Sequence, residues 1–130
     1  MEDGKMNLNF KKGILGFEHC KNFEVKDIEE NPLFKILESK EEEEFNLVIV
    51  SPFDVEENYE FQVPDATLKN LEIDSEKDVM VYSTVTVNSD MKKTTTNLRA
   101  PIVINTKNNL AEQIILSDEK YKIKHPLLKG

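Results

Sequence analysis

Imidazole, thiol and paired carboxylates do most protein chemistry, and this sequence holds 2 histidines, 1 cysteine and 25 acidic residues. His19 and His125 are the candidate general bases, because imidazole titrates near neutral pH. They lie far apart beside turn-forming residues, and neither has partners at a recognised spacing. Cys20 beside His19 has the makings of a thiolate pair, but neighbours in an extended segment point apart, and no third residue is placed to orient them. Surface or capping histidines and a small buried hydrophobe at Cys20 fit the pattern better. Asp54, Glu56 and Glu57 resemble a fragment of a cation site, without the glycine and bidentate glutamate of a calcium loop. Lys11 and Lys12 ahead of Gly13-Ile14-Leu15-Gly16 outline an RNA-clamping GxxG loop, but that loop joins two helices and this one follows a strand pattern. Phosphate-binding loops, nucleophile elbows and zinc signatures are absent from the sequence. The residues describe a binding module: no enzyme, no cofactor, no metal.

The elements available to position such groups are short strands. Met6-Asn7-Leu8-Asn9-Phe10 alternates apolar and polar residues, which puts Met6, Leu8 and Phe10 on one face of a half-buried strand. Gly13 and Gly16 bound a turn that drops Ile14 or Phe17 into the core. Phe23-Glu24-Val25 and residues 33–37 are further strands, separated by the acidic turn 27–31 and Pro32. Glu41, Glu42, Glu43 and Glu44 read as a hairpin tip, and residues 45–50, apolar on both faces, as a central strand. After Ser51-Pro52, residues 54–59 form an acidic loop or edge before a short strand at 60–63. Asp65 is placed to cap helical turns over 66–71, and Ser75 and Asp78 have capping-box spacing with no room for a helix. Residues 79–87 are β-branched and alternating, with Val79, Val81, Val85 and Val87 on one face. Residues 88–96 form a polar loop or hairpin, and Ile102-Val103-Ile104 pairs with residues 113–116 around a turn at Asn108 and Asn109. The tail from Tyr121 onward reads as peripheral. The sum is one domain, 1–130, of the all-β and mainly antiparallel class. It is a small β-barrel-like or compact sandwich fold of about eight short strands with one short helix near 66–71.

A chain of 130 residues buries roughly 65 to 70% of its unfolded surface and supports one core. With 38% apolar residues and no Trp, that core is modest. No run approaches the roughly 18 apolar residues of a membrane helix, no apolar signal core opens the chain, and a lone cysteine forms no internal disulfide, so the expected location is the cytoplasm. A net charge of −8 argues against binding nucleic acid by phosphate neutralisation. The acid is concentrated: residues 24–60 hold 13 acidic and 3 basic side chains, whereas residues 91–130 hold 3 acidic and 8 basic ones. An acidic field that steers a basic partner is one reading, and a solvated surface kept soluble by its charge is the other.

Thr95-Thr96-Asn97-Leu98-Arg99-Ala100-Pro101-Ile102-Val103-Ile104-Asn105 resembles the signature of the FliW family of flagellar assembly factors. The resemblance extends, in order, through Phe10, Gly13-Ile14, Gly16-Phe17-Glu18, Phe23, Asn31-Pro32-Leu33-Phe34, Ser51-Pro52-Phe53, Tyr59-Glu60-Phe61, Asp65, Gln113-Ile114-Ile115-Leu116, Tyr121 and His125-Pro126-Leu127. Leu15 stands where the family commonly has proline, and the stretch before Met6 is short, so part of a first strand is expected to be missing. The resemblance implies a β-barrel-like fold without catalytic activity and with two alternative partners. Members bind flagellin in the cytoplasm; when free, they bind CsrA, a dimeric RNA-binding translational repressor, beside its RNA site and relieve repression of flagellin synthesis.

Within that resemblance, Tyr59, Asn97, Arg99 and Asn105 are the candidate partner-binding residues, with backbone-capping Asn as the competing role. Pro101, Ile102 and Ile104 read as strand-building. Glu41, Glu42, Glu43, Glu44, Glu56 and Glu57 are the candidates for repelling RNA from the repressor. The alternative is an RNA-binding barrel of the OB kind, which requires exposed aromatics on a basic face.

Overall fold

Alternation decides the first strand. In the computed structural model, which describes residues 6–127, β1 (Met6–Phe10) buries Leu8 and Phe10 and turns Asn7 outward. The expected missing segment before Met6 and the last residues of the tail lie outside the described residues. β2 (Asn22–Asp27), β3 (Phe34–Ser39) and β4 (Asn46–Val50) continue from β1 as an antiparallel meander. β5 (Val79–Thr86) then does double service. Its second half pairs with β4 on one edge, and its other edge pairs first with β6 (Thr95–Thr96) and then with β7 (Ile102–Asn105). β8 (Leu110–Gln113) folds back on β7 and meets β1 in parallel through Asn9 and Phe10, and β9 (His125–Pro126) pairs with β6.

The β4–β5 pairing closes the order β4-β3-β2-β1-β8-β7-β5 into a seven-stranded barrel, from which β6 and β9 extend as a short ribbon. Closure satisfies the ladders that an open sheet would leave at its edges. Phe10, Phe23, Leu37, Ile49, Ile102 and Ile104 fill the interior, with the Phe10 and Phe23 rings edge-on at 5.3 Å. A second cluster, with Tyr59, Leu71, Leu98, Val103, Ile114 and Tyr121, packs between the outside of the barrel and the segment that joins β4 to β5. This explains why all four residues of β7 are buried: both of its faces are covered. A smaller cluster of Val50, Val55 and Val85 lies where β4 and β5 meet.

The sequence-based elements differ from the structure where packing replaces local pattern. Residues 60–63 join no ladder; Phe61 and Val63 pack on the outer cluster instead. Part of the expected acidic loop winds into α1 (Pro52–Val55), with Pro52 in the first turn, where its missing N–H costs nothing. Asp65 is the first residue of α2 (Asp65–Asn70) and makes no cap bond, whereas Ser75 does cap, accepting from the Lys77 amide ahead of a 3-10 turn. On β5 the barrel-facing side chains are Met80 and Tyr82; Val79 belongs to the outer cluster, and Val87, 62% exposed, falls beyond the strand. The last hairpin strand lies three residues earlier than expected because Asn109, at φ 62, makes the turn tighter. Tyr121 is core rather than peripheral.

Candidate functional site

Residues 95–105 run along one edge of β5 twice, as β6 and then as β7, so residues 97–101 must leave the sheet and return. Asn97 builds that corner. Its amide donates to Thr84 O, and its Oδ1 accepts from the amides of Arg99 and Ala100 at 3.0 and 3.1 Å. Leu98 is fully buried, its carbonyl accepting from the Tyr59 hydroxyl at 2.7 Å and its amide donating to Lys122 O. Arg99 donates through Nε to Leu116 O, and the Leu116 amide returns a bond to Arg99 O. Pro101, without an N–H, accepts from Ile114.

Of the four residues expected to face a partner, the structure therefore buries two. Tyr59 is 3% exposed and Asn105 1%. Burial, reinforced by the neighbouring Tyr121, pushes the Tyr59 phenol far above its usual range, so it stays a hydrogen-bond donor. Asn105 donates through Nδ2 to Leu71 O and Glu72 O at 2.8 and 3.1 Å and accepts from the Lys107 amide. Glu72 holds a left-handed φ of 57, and Asn105 clamps that turn to the barrel. Asn97 and Arg99 remain half-exposed.

Beside Tyr59 opens a groove of about 620 Å³. Phe53, Phe61, Val63, Ile73, Val79 and Val81 supply its apolar lining, and Glu60, Asp65, Asp74 and Glu76 its carboxylates. Phe53 is 46% exposed and stands edge-on to Tyr59 at 5.7 Å. The groove is not legible in the local sequence, where residues 60–63 read as a strand; the signal for it is apolar residues there with no partner strand to claim them.

The six glutamates expected to repel RNA occupy two places. Glu41, Glu42, Glu43 and Glu44 form the β3–β4 tip, and Glu56 and Glu57 follow α1 at the other end of β4. Desolvation alone would raise the Glu41 carboxyl, but hydrogen bonds from the Asn22 side chain and nearby amides outweigh it and hold it below the ordinary carboxylate value. Glu56 shares a small recess with Leu98, Lys120, Tyr121 and His125, next to the corner. Four basic residues of the C-terminal stretch flank the ribbon: Lys92 and Lys93 precede β6, and Lys122 and Lys124 precede β9. Lys120, by contrast, shares the recess of Glu56, so the acidic and basic stretches of the chain meet there.

His19 and Cys20 do have a third group. Glu42 Oε2 lies 2.5 Å from His19 Nε2 and 3.6 Å from Cys20 Sγ, brought there by the hairpin tip rather than by sequence spacing. For the RNA-binding alternative, the exposed aromatics are misplaced: Phe53 stands among the groove carboxylates, and Phe17, stacked on Phe45, adjoins Glu18. Among the described residues, no helix is long and apolar enough to cross a membrane.

Fold and site together define a small closed β-barrel with an apolar groove, lined in part by carboxylates, beside a hydrogen-bonded corner that leaves Asn97 and Arg99 half-exposed. The family described as FliW protein matches residues 1–127. A flagellar assembly factor FliW of Clostridium tetani is 52% identical over 122 residues, covering 94% of this chain and 84% of the relative. That of Clostridium beijerinckii is 49% identical over 126 residues, covering 97% and 89%. A crystal structure of the flagellar assembly factor FliW superposes with a TM-score of 0.90 at 38% identity, covering 95% of this chain and 86% of that one. The chain belongs to the FliW family.

Proposed function

We propose that this protein is a cytoplasmic, non-catalytic regulator of flagellin homeostasis. It binds flagellin and, when free of it, binds and antagonises CsrA from beside the RNA site, relieving repression of flagellin synthesis without touching nucleic acid itself. Family membership supports the pairing of roles. The observation that carries a protein-binding role is the groove: apolar lining with carboxylates around it suits an amphipathic segment that inserts apolar side chains and presents basic flanks. Flagellin is its proposed occupant. Arg99 and Asn97, half-exposed at the corner, are the proposed contacts for CsrA.

Calorimetry with the flagellin C-terminal region and with CsrA, separately, tests the reading. Two complexes are expected, and binding to neither partner ends it. Phe53→Glu adds a carboxylate at an exposed position in the groove, so it is expected to leave the fold intact and weaken flagellin binding at least about tenfold, the cost of losing one buried apolar anchor. Unchanged flagellin affinity in that variant would move the site elsewhere.

A further inference from the structure

We propose that His19, Cys20 and Glu42 form a binding site for Zn²⁺ or a similar late first-row divalent ion, which fastens the β1–β2 turn to the β3–β4 hairpin tip. One ligand atom from each lies within 4.8 Å of the others, the only such grouping of three His, Cys, Asp or Glu side chains among the described residues. A tetrahedral ion with bonds of about 2.0 Å to nitrogen and oxygen and about 2.3 Å to sulfur spaces its ligand atoms about 3.3 to 3.5 Å apart. Cys20 Sγ and Glu42 Oε2 already stand at 3.6 Å. His19 Nε2 and Glu42 Oε2 are closer, at 2.5 Å, and must part by about 1 Å to admit an ion of that size. Both side chains are free to do so, being 63% and 49% exposed. The donor set selects the metal: imidazole with thiolate favours Zn²⁺ and its neighbours over Mg²⁺ or Ca²⁺, which take all-oxygen ligands.

The two loops that carry these groups are already fixed. The Cys20 amide donates to Phe17 O, and Ser39 Oγ accepts from the amides of both Glu41 and Glu42. The loops are also braced to each other, by the Lys40 amide to Asn22 O and by Asn22 Nδ2 to the Glu41 carboxylate. Phe17 and Phe45, stacked at 4.0 Å, form an apolar wall next to the donors. Cys20 is buried, so an ion enters from the Glu42 side, and three protein ligands leave a fourth position for water.

The test is a Co²⁺ titration of the tag-free full-length protein followed by absorbance, with Zn²⁺ as competitor. The wild type is expected to show a thiolate-to-cobalt charge-transfer band with visible bands of tetrahedral Co²⁺, all removed by Zn²⁺. Cys20→Ser abolishes the charge-transfer band. His19→Ala and Glu42→Gln, at exposed positions that leave folding intact, each weaken Co²⁺ binding by more than about tenfold, since altering even a supporting hydrogen bond costs 10- to 100-fold. Should Cys20→Ser fail to fold, these two variants decide. Absence of the charge-transfer band in the wild type overturns the proposal, and so do unchanged midpoints in His19→Ala and Glu42→Gln.

Discussion

Asn105 shows why one side chain type is required where another of the same shape fails. Its Nδ2 satisfies two carbonyls while Oδ1 takes an amide, all within a site that is 1% exposed. Aspartate keeps the acceptor and loses both donors, leaving a buried carboxylate against two carbonyl oxygens. Asn105→Asp is therefore expected to cost about 3 kcal/mol or more, and Asn105→Ala about 1–3 kcal/mol for the groups left unpaired, both read by chemical denaturation. A smaller loss for the aspartate would show that the clamp does not hold the Leu71–Glu72 turn. The glycines of the first turn make a second contrast. Both sit at positive φ, 71 for Gly13 and 86 for Gly16, but a Cβ on Gly13 would stand 2.3 Å from Glu18 O, whereas one on Gly16 meets nothing within 4 Å. Gly16→Ala is expected to cost about 1–2 kcal/mol from the backbone alone, and Gly13→Ala clearly more because main chain must move. Equal costs in thermal melts would mean that the clash is relieved without strain.

That same turn is an acid-sensitive element. The Glu18 carboxyl is held below its ordinary 4.5 by hydrogen bonds from its own amide and from Gly16, and Glu41, across the brace to Asn22, is lowered as well. A carboxyl depressed in the folded state contributes in full above its unfolded value and loses that contribution as pH falls through the lower folded value. The β1–β2 turn is therefore expected to hold above pH 4.5 and to loosen below it, and Glu18→Gln to remove part of this response. Amide chemical shifts of Gly16 and Asn22 followed through an acid titration report it; midpoints at or above 4.5 would contradict it. Elements of this kind were partly legible beforehand. Strict alternation marked β1, β-branching marked β5, and two glycines marked the turn, because those signals are local. The parallel seam between β1 and β8 and the β4–β5 closure join residues far apart in sequence, which no local pattern encodes. The groove stayed hidden for a related reason: Phe61 and Val63 are held by packing, with no ladder to give them a period. The Glu42 contact to His19 and Cys20 likewise depends on the register of two hairpins.

At the scale of the whole molecule, the net charge of −8 divides into regions that act separately. Glu43 and Glu44 precede β4, and Glu56 and Glu57 follow it, so at the rise of an extended strand the two patches lie about 20 Å apart. That exceeds the Debye length of about 8 to 10 Å at physiological salt, so a bound partner feels the nearer patch only. Glu56 lines the recess that also holds Leu98 of the corner. If CsrA docks at Arg99 and Asn97, Glu56 and Glu57 are the carboxylates near its RNA channel, and Glu43 and Glu44 are too remote to matter. Each carboxylate about 8 Å from a phosphate repels it by about 0.5 kcal/mol in water, screened to about 0.2 kcal/mol at one Debye length, so two of them facing about three phosphates alter RNA affinity about three- to tenfold. Fluorescence anisotropy of labelled RNA on CsrA at 0.15 M salt separates the pairs. Glu56→Gln with Glu57→Gln is expected to leave CsrA binding nearly unchanged and to raise by that factor the concentration needed to release RNA, whereas Glu43→Gln with Glu44→Gln displaces RNA like the wild type. Equal loss from both pairs would mean that the field acts as a whole, and loss from neither would mean that RNA leaves for a reason other than charge.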